Sequence, residues 1–152
     1  MAKKVDDIIK RHKSRMSGLI GMLQEVQNQY NHLPEEVLTY IAEKLNAPVS
    51  QVYSLATFYK AFSLKPRGKY LVALCMGTAC HVRSADAIAD EIKRKLKVDI
   101  GETSKDGLFT FETVNCLGCC AIGPVMVVND KYYGQLTAKK AGLILERYLK
   151  HA

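Results

Sequence analysis

The residues best suited to chemistry are five cysteines, all between Cys75 and Cys120. They fall into two groups, Cys75-x4-Cys80 and Cys116-Leu-Gly-Cys119-Cys120, with 35 residues between the groups. Four thiolates from two loops can hold a zinc ion or an iron–sulfur cluster. Structural zinc usually takes cysteines two to four residues apart. Cys116/Cys119 fits that spacing, and Cys75/Cys80 sits at its long edge. Four residues between the first two ligands recurs in plant-type two-iron ferredoxins. A Rieske centre needs two histidines, and only His81 lies near a cysteine group. All-cysteine iron–sulfur ligation therefore leads, with zinc and unligated thiols as alternatives. Spacing alone leaves open whether Cys119 or Cys120 is the fourth ligand. Adjacent side chains rarely point the same way, so one of the two is a bystander with a small hydrophobic role.

The elements that must position these thiols are legible around them. Tyr70 to Leu74 reads as a short apolar strand running into Cys75. Phe109 to Val114 alternates as a half-buried strand ahead of Cys116. Both groups thus follow the C-terminal end of an expected strand, where ligands of open α/β sheets gather. A helix over 84–96, with Ala85, Ile88, Ala89 and Ile92 inward, places its positive end near Cys80. Thiolates there would have lowered pKa values, and Gly77 and Gly118 allow close backbone approach. Val125 to Val128 reads as a buried strand, Asn129-Asp130 as a turn, and Lys131 to Gly134 as a return strand. Thr137 caps a last helix with Ala141, Ile144 and Leu149 inward.

Residues 1–66 contain no cysteine and read as four helices. Val5, Ile8 and Ile9 share one face. Met16, Leu19, Ile20, Leu23, Val26 and Tyr30 recur at helical spacing, with Ser14 or Ser17 as cap. Pro34 suits a first turn, followed by Leu38, Ile41 and Leu45. A fourth helix opens near Ser50 and carries Val52, Leu55, Ala56 and Tyr59, its aromatics expected in the core. Lys65-Pro66-Arg67-Gly68-Lys69 is the clearest linker. The expected fold is α+β in two parts: a helical bundle over 1–66, then an α/β layer over 67–152.

Composition bounds the function. The chain has 152 residues, 48% hydrophobic and 24% charged, which excludes disorder and collagen-like repeats. An odd cysteine count fits a disulfide framework poorly. The longest apolar run, Leu71 to Met76, is too short to span a bilayer, and no secretory signal follows the basic start. A cytoplasmic location is expected, with no membrane insertion. The net charge is +7, and residues 1–66 and 67–152 carry +3 and +4 of it. A helix-turn-helix over 34–60 is a remote alternative, but its second helix is mostly apolar and offers only Gln51 and Lys60 to a groove. No nucleic-acid partner is expected. The dense basic start, from Lys3 to Arg15, reads as a solvated face or a docking surface for an acidic subunit. There is no G-x-G-x-x-G, no G-x-x-x-x-G-K-S/T and no catalytic triad.

Cys75-Met-Gly-Thr-Ala-Cys80 and Cys116-Leu-Gly-Cys-Cys120-Ala-Ile-Gly-Pro124 resemble the thioredoxin-like [2Fe–2S] ferredoxin family. Val52-Tyr-Ser-Leu-Ala-Thr-Phe-Tyr59 and Leu33-Pro34 resemble its helical signature, so the likeness covers nearly the whole chain. The family includes the small flavin-partner subunit of respiratory complex I. It also includes equivalent subunits of NAD(P)-linked, electron-bifurcating hydrogenases and formate dehydrogenases. The resemblance implies one [2Fe–2S] cluster on Cys75, Cys80, Cys116 and Cys120, leaving Cys119 free. It implies a thioredoxin-like second part and a helical docking part. It implies a one-electron carrier that is not catalytic alone, with FMN and NAD(P)(H) in a partner subunit. Pro124 occupies a place where such folds often carry a cis proline. Arg83 is a candidate to offset the cluster's charge.

Overall fold

The computed structural model describes residues 2–150 and divides at Pro66/Arg67 into two compact units. The first holds four helices: α1 (Ala2–Arg11), α2 (Leu19–Tyr30), α3 (Glu35–Lys44) and α4 (Val49–Phe58). Val5, Ile8 and Ile9 of α1 pack with Leu23 and Val26 of α2 and Leu38 and Ile41 of α3, all buried. Each such side chain contributes about 1.5–3 kcal/mol by leaving water. Pro34 and Pro48 stand just outside α3 and α4 as extended N-cap residues, so Pro34 precedes the first turn that it was expected to occupy. Glu35 and Glu36 then lie at the positive end of α3.

Neither serine caps α2. Ser14 has φ +50° in the reversal after α1, and Ser17 lies inside a 3₁₀ turn, Met16–Gly18. An N-cap needs an extended residue, and Ser14 is spent on the reversal. The helix begins after Gly18, where the His12 ring leans on α2: a Cβ at Gly21 would lie 2.5 Å from His12 Cε1. Glu25 answers from α2, bonded to Arg11 and, at 2.8 Å, to His12 Nε2. Arg11 and then His12 hold the Glu25 carboxyl below its ordinary pKa.

In α4 the aromatic expectation holds only for Tyr53, which packs partly buried against the core. Val52 and Ala56 are buried, but Phe58 is 78% exposed and Tyr59, just past the helix, 40%. Ten residues bury one narrow stripe, and Phe58 lies off it.

The second unit is a five-stranded sheet in the order β2-β3-β1-β4-β5: β1 (Tyr70–Cys75), β2 (Glu102–Thr103), β3 (Phe109–Val114), β4 (Met126–Val128) and β5 (Lys131–Tyr133). β1 and β3 are parallel, and the other pairs are antiparallel. Helices α5 (Thr78–His81) and α6 (Ala85–Leu96) follow β1, and α7 (Ala138–Lys150) ends the unit. Val72, Leu74, Phe109, Phe111 and Met126 meet Ile88 and Ile92 of α6 and Leu145 of α7 in one core. In α7 Ala141, Gly142 and Leu145 are buried and Ile144 packs partly buried against the core; Leu149, expected inward, is 40% exposed. The expected alternation of β3 is also incomplete. Thr110, on the other face, is buried because its hydroxyl accepts the Gly68 N–H at 2.7 Å and meets Thr103 at 2.8 Å. No helix among the described residues is long and apolar enough to cross a membrane.

Candidate metal centre

The parallel pairing of β1 and β3 decides where the cysteines meet. Its register sets Cys75 beside Val114, so both chains leave the sheet at the same edge. Cys75 is fixed on both sides: its N–H donates to Val125 O at 3.0 Å, and the next N–H, of Met76, donates to Val114 O at 2.8 Å. Gly77 then opens α5, the single turn that carries Cys80. A Cβ at Gly77 would lie 2.5 Å from the Asn115 carbonyl oxygen, so only glycine lets the two loops close on each other. Cys116 follows at the start of the second loop. Gly118, at φ +74°, turns that loop back, and its N–H reaches Cys116 Sγ at 3.3 Å. Cys120 opens a 3₁₀ turn, Cys120–Ile122, ahead of the cis Gly123–Pro124 bond.

Cys75, Cys80, Cys116 and Cys120 line one cavity of about 330 Å³ with Gly77, Thr78, Ala79 and Asn115. Cys119 does not line it, and its thiol turns to the Leu117 carbonyl at 3.5 Å. His81 is exposed and pairs with Asp86 at 3.1 Å. Arg83 Nη1 donates to Cys120 O at 3.2 Å and Gly123 O at 3.1 Å.

The four thiols differ in setting. Cys75 and Cys80 are 3% and 2% exposed, whereas Cys116 and Cys120 are exposed. Burial pushes the Cys75 thiol up, but backbone N–H groups of Gly77 and Leu117 and the thiols of Cys80 and Cys116 outweigh it and hold it below its ordinary value. Cys80, expected to be lowered beside the N-terminus of α6, is instead pushed up by burial and then by Cys75. Cys116, by charge and hydrogen bonding, pushes Cys120 up. Thiols that crowd one another's ionisation favour a cationic group that takes their protons' place. Soft thiolates with backbone donors aimed at sulfur are the donor set that iron–sulfur clusters use. Among the described residues, no three His, Cys, Asp or Glu side chains converge as a site for one metal ion. Four thiols on one cavity, with backbone N–H groups aimed at Cys75 and Cys116, fit the two-iron group.

Sequence reasoning had no signal for α5, or for the backbone donors at Gly77 and Leu117. The glycines beside the cysteines were the nearest clue.

Fold and site together define a class: a thioredoxin-like unit with a thiol-lined cavity where two parallel strands end. The profile of the family described as thioredoxin-like [2Fe–2S] ferredoxin matches residues 5–149, and the chain belongs to that family. It is 39% identical over 130 residues to the NADP-reducing hydrogenase subunit HndA of Solidesulfovibrio fructosivorans, covering 86% of this chain and 76% of that protein. It is 35% identical over 148 residues to an E-type subunit of the NADH-quinone oxidoreductase of Rhizobium meliloti, covering 97% and 88%. A crystallised chain of an NAD+-reducing [NiFe]-hydrogenase in the H2-reduced state shares the fold, with a TM-score of 0.77 at 17% identity. That match covers 89% of this chain and 23% of the hydrogenase chain.

Proposed function

We propose that the chain is the one-electron carrier of an NAD(P)H-linked oxidoreductase complex, its [2Fe–2S] cluster held by Cys75, Cys80, Cys116 and Cys120. One observation carries this reading: those four thiols line a single cavity, and Cys119, adjacent to one of them, faces away. The cluster supplies reversible one-electron reduction, with no bond made to substrate. The chain's own groups hold it, shield Cys75 and Cys80 from water, and aim the N–H groups of Gly77, Leu117 and Gly118 at sulfur. The exchange partner is a subunit carrying FMN and the NAD(P)(H) site. Residues 67–152 form the cluster unit, and the helices of 1–66 serve for docking, with Lys3, Lys4 and Lys10 of α1 exposed for an acidic surface. The relatives point to a hydrogenase or an NADH-quinone oxidoreductase as parent complex, placed in the cytoplasm or at the cytoplasmic face of a membrane.

Anaerobic expression tests the cluster. A red-brown protein with iron and sulfide in equal amounts, paramagnetic after one-electron reduction, is expected. A colourless protein with stoichiometric zinc overturns the reading. Tagged capture from the native cell identifies the flavin subunit.

A further inference from the structure

Arg83 sits between α5, which carries Cys80, and α6. Arginine's planar fork is suited to carboxylates, yet among the described residues no carboxylate takes it. Its Nη1 goes to two main-chain oxygens of the opposite loop, those of Cys120 and Gly123. The Cys120 carbonyl also accepts the Gly123 N–H at 3.1 Å, so both of its lone pairs are used. A closed loop of contacts results. It runs from Cys80 along three residues to Arg83, across to the Cys120 carbonyl, and through Cys120 back to the cavity. Gly123 sets its tightness: a Cβ there would lie 3.1 Å from Cys80 Sγ and 3.7 Å from Arg83 Nη1. The Cys80 thiol and the Arg83 guanidinium therefore both border the same glycine.

We infer that Arg83 is a positioning residue of the metal centre with two effects. It ties the loop carrying Cys120 to the turn carrying Cys80, and it holds a fixed positive charge beside the sulfur ligands. The inference rests on the cluster reading above. On accepting one electron from the flavin partner, a two-iron cluster held here would gain one negative charge, one ferric ion becoming ferrous. A cation held nearby stabilises that form over the oxidised one. Arg83 is solvent-exposed, so salt and water screen the effect.

The test compares the reduction potentials of the loaded wild type, Arg83→Lys, Arg83→Gln and Arg83→Met by spectroelectrochemistry. Cluster loss to a ferrous-iron chelator is followed alongside. In Arg83→Gln and Arg83→Met the equilibrium is expected to move about threefold to tenfold toward the oxidised form. Tenfold is 59 mV for one electron. Arg83→Lys, keeping the charge, stays near the wild-type potential, and the gap between wild type and Arg83→Gln narrows in high salt. Arg83→Met releases iron faster than wild type. Wild-type potentials in both Arg83→Gln and Arg83→Met overturn the inference. Should Arg83→Met not fold, Arg83→Gln against Arg83→Lys decides. A wild-type chain that carries no cluster fails differently: it overturns the cluster reading, and this inference with it.

Discussion

The two cysteine pairs around the cavity are built by opposite means. Cys75 ends a strand that is hydrogen-bonded on both sides, and Cys80 lies in a helical turn; both are buried. Cys116 and Cys120 belong to a loop whose shape depends on one left-handed glycine and an arginine reaching across. One pair is held by the core, the other by local hydrogen bonds. On the proposed ligand set, the buried pair would fix where the cluster sits, and the exposed pair would leave its other edge toward solvent.

The largest test of this contrast is ligand removal. Cys75→Ser and Cys80→Ser should reduce iron from about two per chain to background, because both thiols are buried and no fifth cysteine among the described residues lines the cavity. Cys116→Ser and Cys120→Ser should retain part of the iron with a shifted absorption spectrum. Equal losses on both sides, by iron analysis, would erase the distinction. Next come the glycines. Gly77→Ala drives a Cβ against backbone and should cost about 1–3 kcal/mol in chemical denaturation. Gly118→Ala meets nothing within 4 Å and should cost about 1 kcal/mol, for the left-handed backbone alone.

The far end of β1 supplies a control. There the hydroxyls of Tyr148 and Tyr133 meet at 2.8 Å, and burial, then Tyr133, pushes the Tyr148 phenol up to about 12. A raised pKa means that the folded state holds the proton longer. The stability it confers is complete below the unfolded value of 10.0 and disappears as pH rises toward about 12. Tyr148→Phe should flatten that alkaline decline in thermal melts while leaving the cluster spectrum unchanged. The smallest effect belongs to Cys119→Ser: unchanged iron and stability within about 0.5 kcal/mol. Iron loss in that variant alone would mean that the loop pair is misassigned.

What the sequence could convey follows the same division. The strand that delivers Cys75 was legible as an apolar run, the one ahead of Cys116 by its alternation, and α6 because four inward residues keep its period. α5 was invisible, since four residues show no periodicity, as was the two-residue β2. Leu149 and Phe58 were misplaced because a helical stripe read without its neighbours is a turn too generous at its ends. At the site the cysteines were obvious as a group. The choice between Cys119 and Cys120 was not, because it depends on how Gly118 turns the loop, and that is a backbone property. The resemblance to a family, and not spacing, made the choice.

The parallel register of β1 and β3 also frees the chain between them. The two pairs meet because two strands end at one edge, and the chain between α6 and β3 has only to reconnect them. Residues could be added between the exposed Lys105 and Asp106, at the tip of the turn between β2 and β3, without moving a thiol. The interval between the pairs is thus an elastic spacer, and a search for such centres keyed to its length would discard true ones. The short spacings within each pair are the signature that endures.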